Sequence, residues 1–374
     1  MLYLFIYSII CEQIIFRDKD ILTQQDVKSV MNDFTTDVII ENIKAIGNSA
    51  FCNCKQLKSV FIFSSLVSIG NEAFYCCNKL ETISFGEESN LTTIGNSAFD
   101  DCEALKSISI PSSVKSIGNN AFEQCSKLEN ISFGEESNLT IIGDSAFYSC
   151  GELKSISIPS SVKSIGNEAF DYCYKLENIS FEGESSLTTI GESSFFNCIA
   201  LKSILIPSSV KSIGDNGFCA CYKLENISFG EESSLTTIAD STFSFCSGLK
   251  SISIPSSIKS IGNKAFQQCG ILENILFEGE SNLTTIGEST FFNCYGLKSI
   301  SIPSSVKSIG NEAFKQCSKL ENILFEGEPN LTTIADSVFQ SCIALKSISI
   351  PSSVKSIGNE AFKQCSILEN ILFE

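Results

Sequence analysis

Leu105-Lys-Ser-Ile-Ser-Ile-Pro111-Ser-Ser-Val-Lys-Ser-Ile-Gly118-Asn-Asn-Ala-Phe122-Glu-Gln-Cys125 is followed, after Ser126 and Lys127, by Leu128-Glu-Asn-Ile-Ser-Phe133-Gly-Glu-Glu-Ser-Asn-Leu-Thr-Ile-Ile-Gly143-Asp-Ser-Ala-Phe147-Tyr-Ser-Cys150. The two stretches are variants of one pattern. Phenylalanine recurs at Phe51, Phe74, Phe99, Phe122 and onward to Phe362, in steps that alternate strictly between 23 and 25 residues. A cysteine stands three residues after each of these phenylalanines, which accounts for 14 of the 18 cysteines. Self-similarity at such a period marks a solenoid, in which each repeat is one turn.

Within a turn, L-x-x-I-x-[IF] alternates as a short strand does, so Leu105, Ile108 and Ile110 point inward. Pro111 cannot donate to a ladder and ends the strand. Its recurrence every 48 residues, through Pro159, Pro207, Pro255, Pro303 and Pro351, sets the same corner in each shorter turn. The Ile117-Gly118 pair reads as a second corner, with glycine supplying a positive φ. The small residue and phenylalanine that follow fill the core behind the sheet. A single turn cannot bury its apolar face alone, so stacking makes one continuous core and one parallel sheet.

Composition narrows the function. The formal charge of −17 argues against nucleic acid, which needs clustered Lys and Arg, and against anionic lipid. There is no histidine, which removes Ser-His-Asp and Cys-His catalysis and His-containing zinc sites. No nucleophile has a base partner at a distinctive spacing, so the chain reads as a non-enzyme with no catalytic residue, metal ligand, cofactor or small-molecule substrate.

The pattern resembles the BspA-like leucine-rich repeats of bacteria and parasitic protists, whose repeats carry L-x-x-I-x-[IL]-P-x-x-[VL]-x-x-I-G-x-x-A-F-x-x-C. Residues 38–374 match it position by position, as in Leu153 to Cys173; the first repeat departs from it, with Phe63 in place of the proline. The resemblance implies a leucine-rich-repeat solenoid, a right-handed β/α-type horseshoe of about 14 repeats. It places the parallel β-sheet on the concave face and short turns or 3-10 helix on the convex side. It also implies a surface antigen that adheres to host matrix or neighbouring cells, without identifying a ligand. Residues 1–37 stand apart as an N-terminal segment. Within them, residues 1–10 read either as the apolar part of a secretory signal or as an apolar strand that caps the solenoid.

Several columns carry chemistry. The cysteine column reads as buried reduced thiols, because stacked parallel side chains project side by side rather than toward each other. Cys11, Cys52, Cys76 and Cys219 stand off the column and are the candidates for reactive or bridging thiols. The residue after each strand leucine alternates Lys and Glu without exception, from Lys58 and Glu81 to Lys346 and Glu369. Opposite charges on neighbouring strands contribute roughly 0.2–1 kcal/mol per pair and resist a slip by one repeat. Acidic pairs such as Glu135/Glu136 and Glu278/Glu280 lie in the longer loops, where they favour solubility over a divalent-cation strip. Seven N-x-[ST] sequons, at Asn90, Asn130, Asn138, Asn178, Asn226, Asn282 and Asn330, are close to the number that composition alone gives.

Binding is expected on the outward strand positions: Ser107, Ser109, Asn130, Ser132, Ser155, Ser157, Asn178, Ser180, Asn226 and Ser228, a flat polar surface. Leu205, Leu276, Leu324 and Leu372 interrupt it with apolar side chains and suggest a contact patch. The first expectation is a cell-surface or secreted adhesion-type protein that binds a protein or glycan on a host or neighbouring cell. The alternative is a cytoplasmic scaffold for a protein partner, consistent with a thiol-rich core. The chain stops at Leu372-Phe373-Glu374 without a polar cap, which reads as a fragment of a longer protein or as an end that pairs with another copy.

Overall fold

The computed structural model describes residues 13–374. The signal-like stretch at residues 1–10 and Cys11 lie outside the described residues. The chain divides into two compact units, one running to Leu176 and including Phe181–Ser186, the other holding Glu177–Ser180 and Leu187–Glu374. Both are stacks of parallel turns.

The first unit opens with β1 (Gln13–Leu22), α1 (Gln24–Val30) and β2 (Asp37–Ile46). β1 and β2 pair in parallel from Gln13 opposite Asp37 to Leu22 opposite Ile46. The intervening helix begins with a capping box, Thr23 accepting from the Asp26 amide and Asp26 from the Thr23 amide. The Lys19 ammonium and then the Thr23 hydroxyl hold the Asp26 carboxyl down at about 2.

β2 is long enough to feed two ladders. Its first half pairs with Ser59–Ile62 and its second half with Ser68–Ile69. Each later turn of the unit supplies one strand to each ladder, for example Ser107–Ile110 with Ser116–Ile117, and Asn130–Phe133 with Ile141–Ile142. The four-residue ladder is the strand expected from L-x-x-I-x-[IF], with Leu105, Ile108 and Ile110 at most 3% exposed. The two-residue ladder stands where Ile-Gly was expected to form only a corner.

The glycine of that pair also has a different reason from the one expected. Among the described residues, positive φ in glycine is confined to Gly183, Gly279 and Gly327. Gly118 is required by close approach: a Cβ there would come 2.6 Å from the Asn96 nitrogen and from the Gly95 carbonyl carbon. What draws the turns together is an amide ladder. The Asn71 side-chain oxygen accepts from the Asn96 N–H, Asn96 from Asn119, and Asn119 from Asp144, at 2.9–3.0 Å. Asp144 passes the pattern on to Asn167 at 2.8 Å.

Left-handed backbone is instead adopted two residues before and two after each core phenylalanine. Asn120 (φ 57°) and Gln124 (φ 55°) flank Phe122 in this way, and side chains as varied as Ser, Glu, Asp and Tyr occupy the equivalent places. These residues build the bend opposite the four-residue ladder. Glu123 and Cys125 donate back within the turn to Asn120 and Phe122, whereas Asn120, Phe122 and Gln124 donate forward to Asp144, Ala146 and Tyr148 of the next turn. Turns, and no 3-10 helix among the described residues, make up this side.

The core of each unit is a stack of phenylalanine rings. From Phe51 to Phe170 successive ring centroids are 4.9–5.3 Å apart and within 11° of parallel. The second unit repeats the arrangement from Phe195 to Phe362 at 5.1–5.7 Å. Its four-residue ladder includes Ser203–Ile206 with Asn226–Phe229, and Ser299–Ile302 with Asn322–Phe325. The fold is a leucine-rich-repeat solenoid.

Candidate binding face

The inward ladder residues are sealed in the core, so any recognition surface built on the sheet must use the alternate, outward positions. In the first unit the structure brings Ser107 beside Asn130, Ser109 beside Ser132, and Ser155 beside Asn130. In the second, Asn178 neighbours Ser203, which neighbours Asn226, and Leu205 neighbours Ser228. All of these side chains, and that of Ser180, are exposed. Ser157 is the exception: it is only partly exposed, and its hydroxyl donates to Glu182 at 3.0 Å.

The loop after the strand explains Ser157. In the longer turn that reads Phe181-Glu182-Gly183-Glu184, the first glutamate follows the strand directly and reaches back to the serine of the preceding turn. Ser253 donates to Glu278 in the same way at 2.6 Å, and Ser349 to Glu374. Where the loop reads Phe-Gly-Glu-Glu, glycine takes that place, because a Cβ on Gly134 would meet the Ser112 nitrogen at 2.7 Å. Ser109 and Ser132 therefore stay open to solvent.

Leu205, Leu276 and Leu324 are 55–62% exposed on an otherwise Ser/Asn face, each opposite or beside a serine of the ladder. Leu372 is 58% exposed, but so are its strand neighbours Ile371 and Phe373 at 39% and 72%. The first unit carries an apolar group that the sequence reading missed. Ile15, Ile39 and Phe61 face one another in register across β1, β2 and Ser59–Ile62, and Phe63 stands edge-on to Phe61 at 5.0 Å. Ile15, Phe61 and Phe63 are 38–43% exposed. The signal was available at Phe61, which holds the position of Ser109 in the repeat.

The Lys/Glu column is only partly closed into ion pairs. Lys154 reaches Glu129, Lys202 reaches Glu177 and Lys298 reaches Glu273 at 2.7–2.9 Å, in each case the glutamate of the preceding turn rather than both neighbours. These side chains are about half exposed, so each pair adds little to stability. Four sequon asparagines in the longer loops, Asn90, Asn138, Asn282 and Asn330, donate their side-chain amides to the Ser64, Ser112, Ser256 and Ser304 carbonyls of the preceding turn, at 2.9–3.1 Å. They fasten neighbouring loops together.

The cysteine column is more than small apolar filling. Thiols of the column donate to the carbonyl of the core phenylalanine one turn back: Cys125 to Phe99, Cys150 to Phe122, Cys269 to Phe243, at 3.2 Å. Burial pushes these thiols well above their ordinary value, so they remain protonated donors. Of the off-column thiols, Cys219 is buried, Cys76 lies 3.5 Å from an Asp101 oxygen, and Cys52 is partly exposed. Among the described residues, no three His, Cys, Asp or Glu side chains gather as a metal-binding group.

The family described as BspA type leucine rich repeat region (6 copies) matches residues 30–139, 92–218, 177–295 and 272–374. The chain belongs to that family. Among solved structures it is similar to a leucine-rich repeat protein from Bacteroides ovatus, with 28% identity and a TM-score of 0.66 over 91% of this chain and 92% of that one. It is also similar to a leucine rich cell surface protein from Faecalibacterium prausnitzii, with 29% identity and a TM-score of 0.46 over 89% and 84%. The pneumococcal vaccine antigen PcpA shares the fold at 23% identity and a TM-score of 0.53 over 91% and 89%. No curated protein matches the chain. No helix among the described residues is long and apolar enough to cross a membrane.

Proposed function

We propose that this chain is a non-enzymatic binding protein of the surface-antigen type, displayed on or released from the cell, that holds a protein or glycan of another cell against the outward face of its four-residue strands. The observation that carries the reading is Leu276 and Leu324, 62% and 60% exposed on strands of the second unit whose other outward positions, Leu205 and Leu372 apart, are serine or asparagine. Isolated exposed leucines are ordinary, but two at the same position of alternate turns form one aligned surface. Membership of the BspA-type family supports the cellular setting. A tagged copy on intact cells is expected to stain and to be shaved by protease. Leu276→Asp with Leu324→Asp is expected to abolish adhesion of the purified chain to target cells without changing its unfolding midpoint. Unstained, protease-resistant cells overturn the setting, and undiminished adhesion overturns the face.

One observation favours a second reading, an intracellular scaffold using the same face. The column thiols act as hydrogen-bond donors and need no oxidising compartment. Glycosidase-sensitive mobility of the protein recovered from cells would exclude it.

A further inference from the structure

The place where the cysteine pattern breaks has its own chemistry. The next column thiols, Cys77, Cys102, Cys125, Cys150 and Cys173, hydrogen-bond to the phenylalanine carbonyl one turn back, as Cys77 does to Phe51 at 3.2 Å. Cys54, the first of the column, does something else. Its Sγ lies 3.9 Å from the thioether sulfur of Met31, the residue that closes α1. Two residues earlier, Cys52 occupies the position after the core phenylalanine, where other turns place Glu123, Tyr148 or Gln267. Cys52 takes no part in the core and accepts a hydrogen bond from the Asn53 side-chain amide at 3.2 Å. Cys52, Cys54 and Met31 are all partly exposed and all line one recess of about 540 Å3 between α1 and the first core turn.

We propose that these three sulfurs form a binding site for a single copper(I) ion, with Cys52 and Cys54 as thiolate ligands and Met31 as a thioether ligand. Bonds of roughly 2.3 Å, the length of a zinc–thiolate bond, meeting at about 110–120° hold two sulfurs about 3.8–4.0 Å apart. The Met31 and Cys54 sulfurs already stand at that separation. Thiolate together with thioether is a soft donor set, which suits copper(I) and disfavours calcium or magnesium; two thiolates and a thioether fall short of the four Cys, His or carboxylate ligands of a structural zinc site. Each cysteine gives up one proton to solvent as its sulfur–metal bond forms, so the filled site carries one net negative charge. Lys28 and Lys55 on the wall of the recess outnumber Asp33 beside them and offset that charge.

The test uses the full chain, reduced and kept anaerobic, titrated with copper(I) in competition with the chromophoric chelator bicinchoninate. One equivalent per chain is expected to be withheld from the chelator, with X-ray absorption showing three sulfur neighbours. Met31→Leu conserves side-chain volume. It is expected to keep the fold, lower the apparent affinity at least tenfold and leave two sulfur neighbours. Cys52→Ser is expected to lower affinity at least as much, and Cys76→Ser to leave it unchanged. Failure to withhold copper overturns the proposal, as does an unaltered affinity or sulfur count in Met31→Leu. A loss in Cys76→Ser equal to that in Cys52→Ser overturns it as well. Circular dichroism and urea midpoints of each variant separate loss of the site from loss of the fold.

Discussion

Asp171 offers a direct measure of what the bend opposite the four-residue ladder costs. The residue is 6% exposed, and its Oδ1 has no hydrogen-bond partner among the described residues. Burial, opposed by the Tyr172 amide and reinforced by the charge of Glu168, raises its pKa from 3.8 to about 7. Three units at 1.36 kcal/mol each come to about 4 kcal/mol as an upper bound. Below about pH 4 the carboxyl is protonated in folded and unfolded chains alike, and this stability is fully present. Between pH 4 and 7 the unfolded chain ionises first, so stability falls, and above pH 7 the loss is complete. Asp100, raised to about 7 by burial and then by Glu123, acts in the same direction. The carboxyls held low, Asp26, Glu129, Glu177 and Glu273, lose their contribution only on acidification below the ordinary carboxylate range and leave this window untouched. Asp171→Asn removes the charge while keeping the shape. It should match the parent at pH 4 and exceed it at pH 8 by up to about 4 kcal/mol. Urea titrations at pH 4, 5, 6, 7 and 8 measure the gap. Exchange of the Ser149 amide, which donates to the Asp171 carbonyl, reports it locally. A variant whose stability falls between pH 5 and 8 as steeply as the parent's refutes the reasoning, as does one less stable than the parent at pH 8.

Other expectations follow from the contacts between turns. Gly166→Ala places a Cβ 2.5 Å from the Asp144 nitrogen and the Gly143 carbonyl carbon, so it should destabilise by about 1–3 kcal/mol in urea titrations. Lys298→Glu sets three carboxylates in a row with Glu273 and Glu321; the loss should be about 1 kcal/mol or less at low salt and should fade as salt is added. A water-soluble alkylating reagent followed by peptide mapping should modify Cys52 and Cys76 in the native chain while sparing the buried thiols from Cys77 to Cys342. Labelling of Cys125 or Cys173 at the rate of Cys52 would contradict the burial of the column.

The sequence made the four-residue strands and the core legible because both carry a period: Leu105, Ile108 and Ile110 alternate, and Phe122 returns every turn. The second ladder was not legible. Ser116–Ile117 is too short to alternate, and the glycine after it looks like a turn residue. Its real constraint is the space taken by Asn96 of the turn before, which no single repeat reveals. The thiol–carbonyl bonds were hidden for the same reason, since donor and acceptor lie 26 or 28 residues apart. On the binding face, the outward positions followed from alternation. Ser157 could not be foreseen as covered, because that depends on which residue after Phe181 is glycine. Ile15 was missed because β1 lies in a segment that matches no repeat, and only its pairing with Ile39 of β2, itself opposite Phe61, brings it into line with them.

The two-letter alphabet of turns imposes a rule of parity. Short and long turns differ in the Lys/Glu column, in the proline corner and in the loop that reaches back to the serine, so the junction of short on long is not the junction of long on short. Removing or adding 48 residues rejoins surfaces that already meet elsewhere in the chain. Removing one turn sets lysine against lysine or glutamate against glutamate at the seam. Genes for such arrays can change length by recombination between copies, and the protein they encode filters the products: even steps keep the alternation of short and long turns, and odd steps leave a fault at the seam.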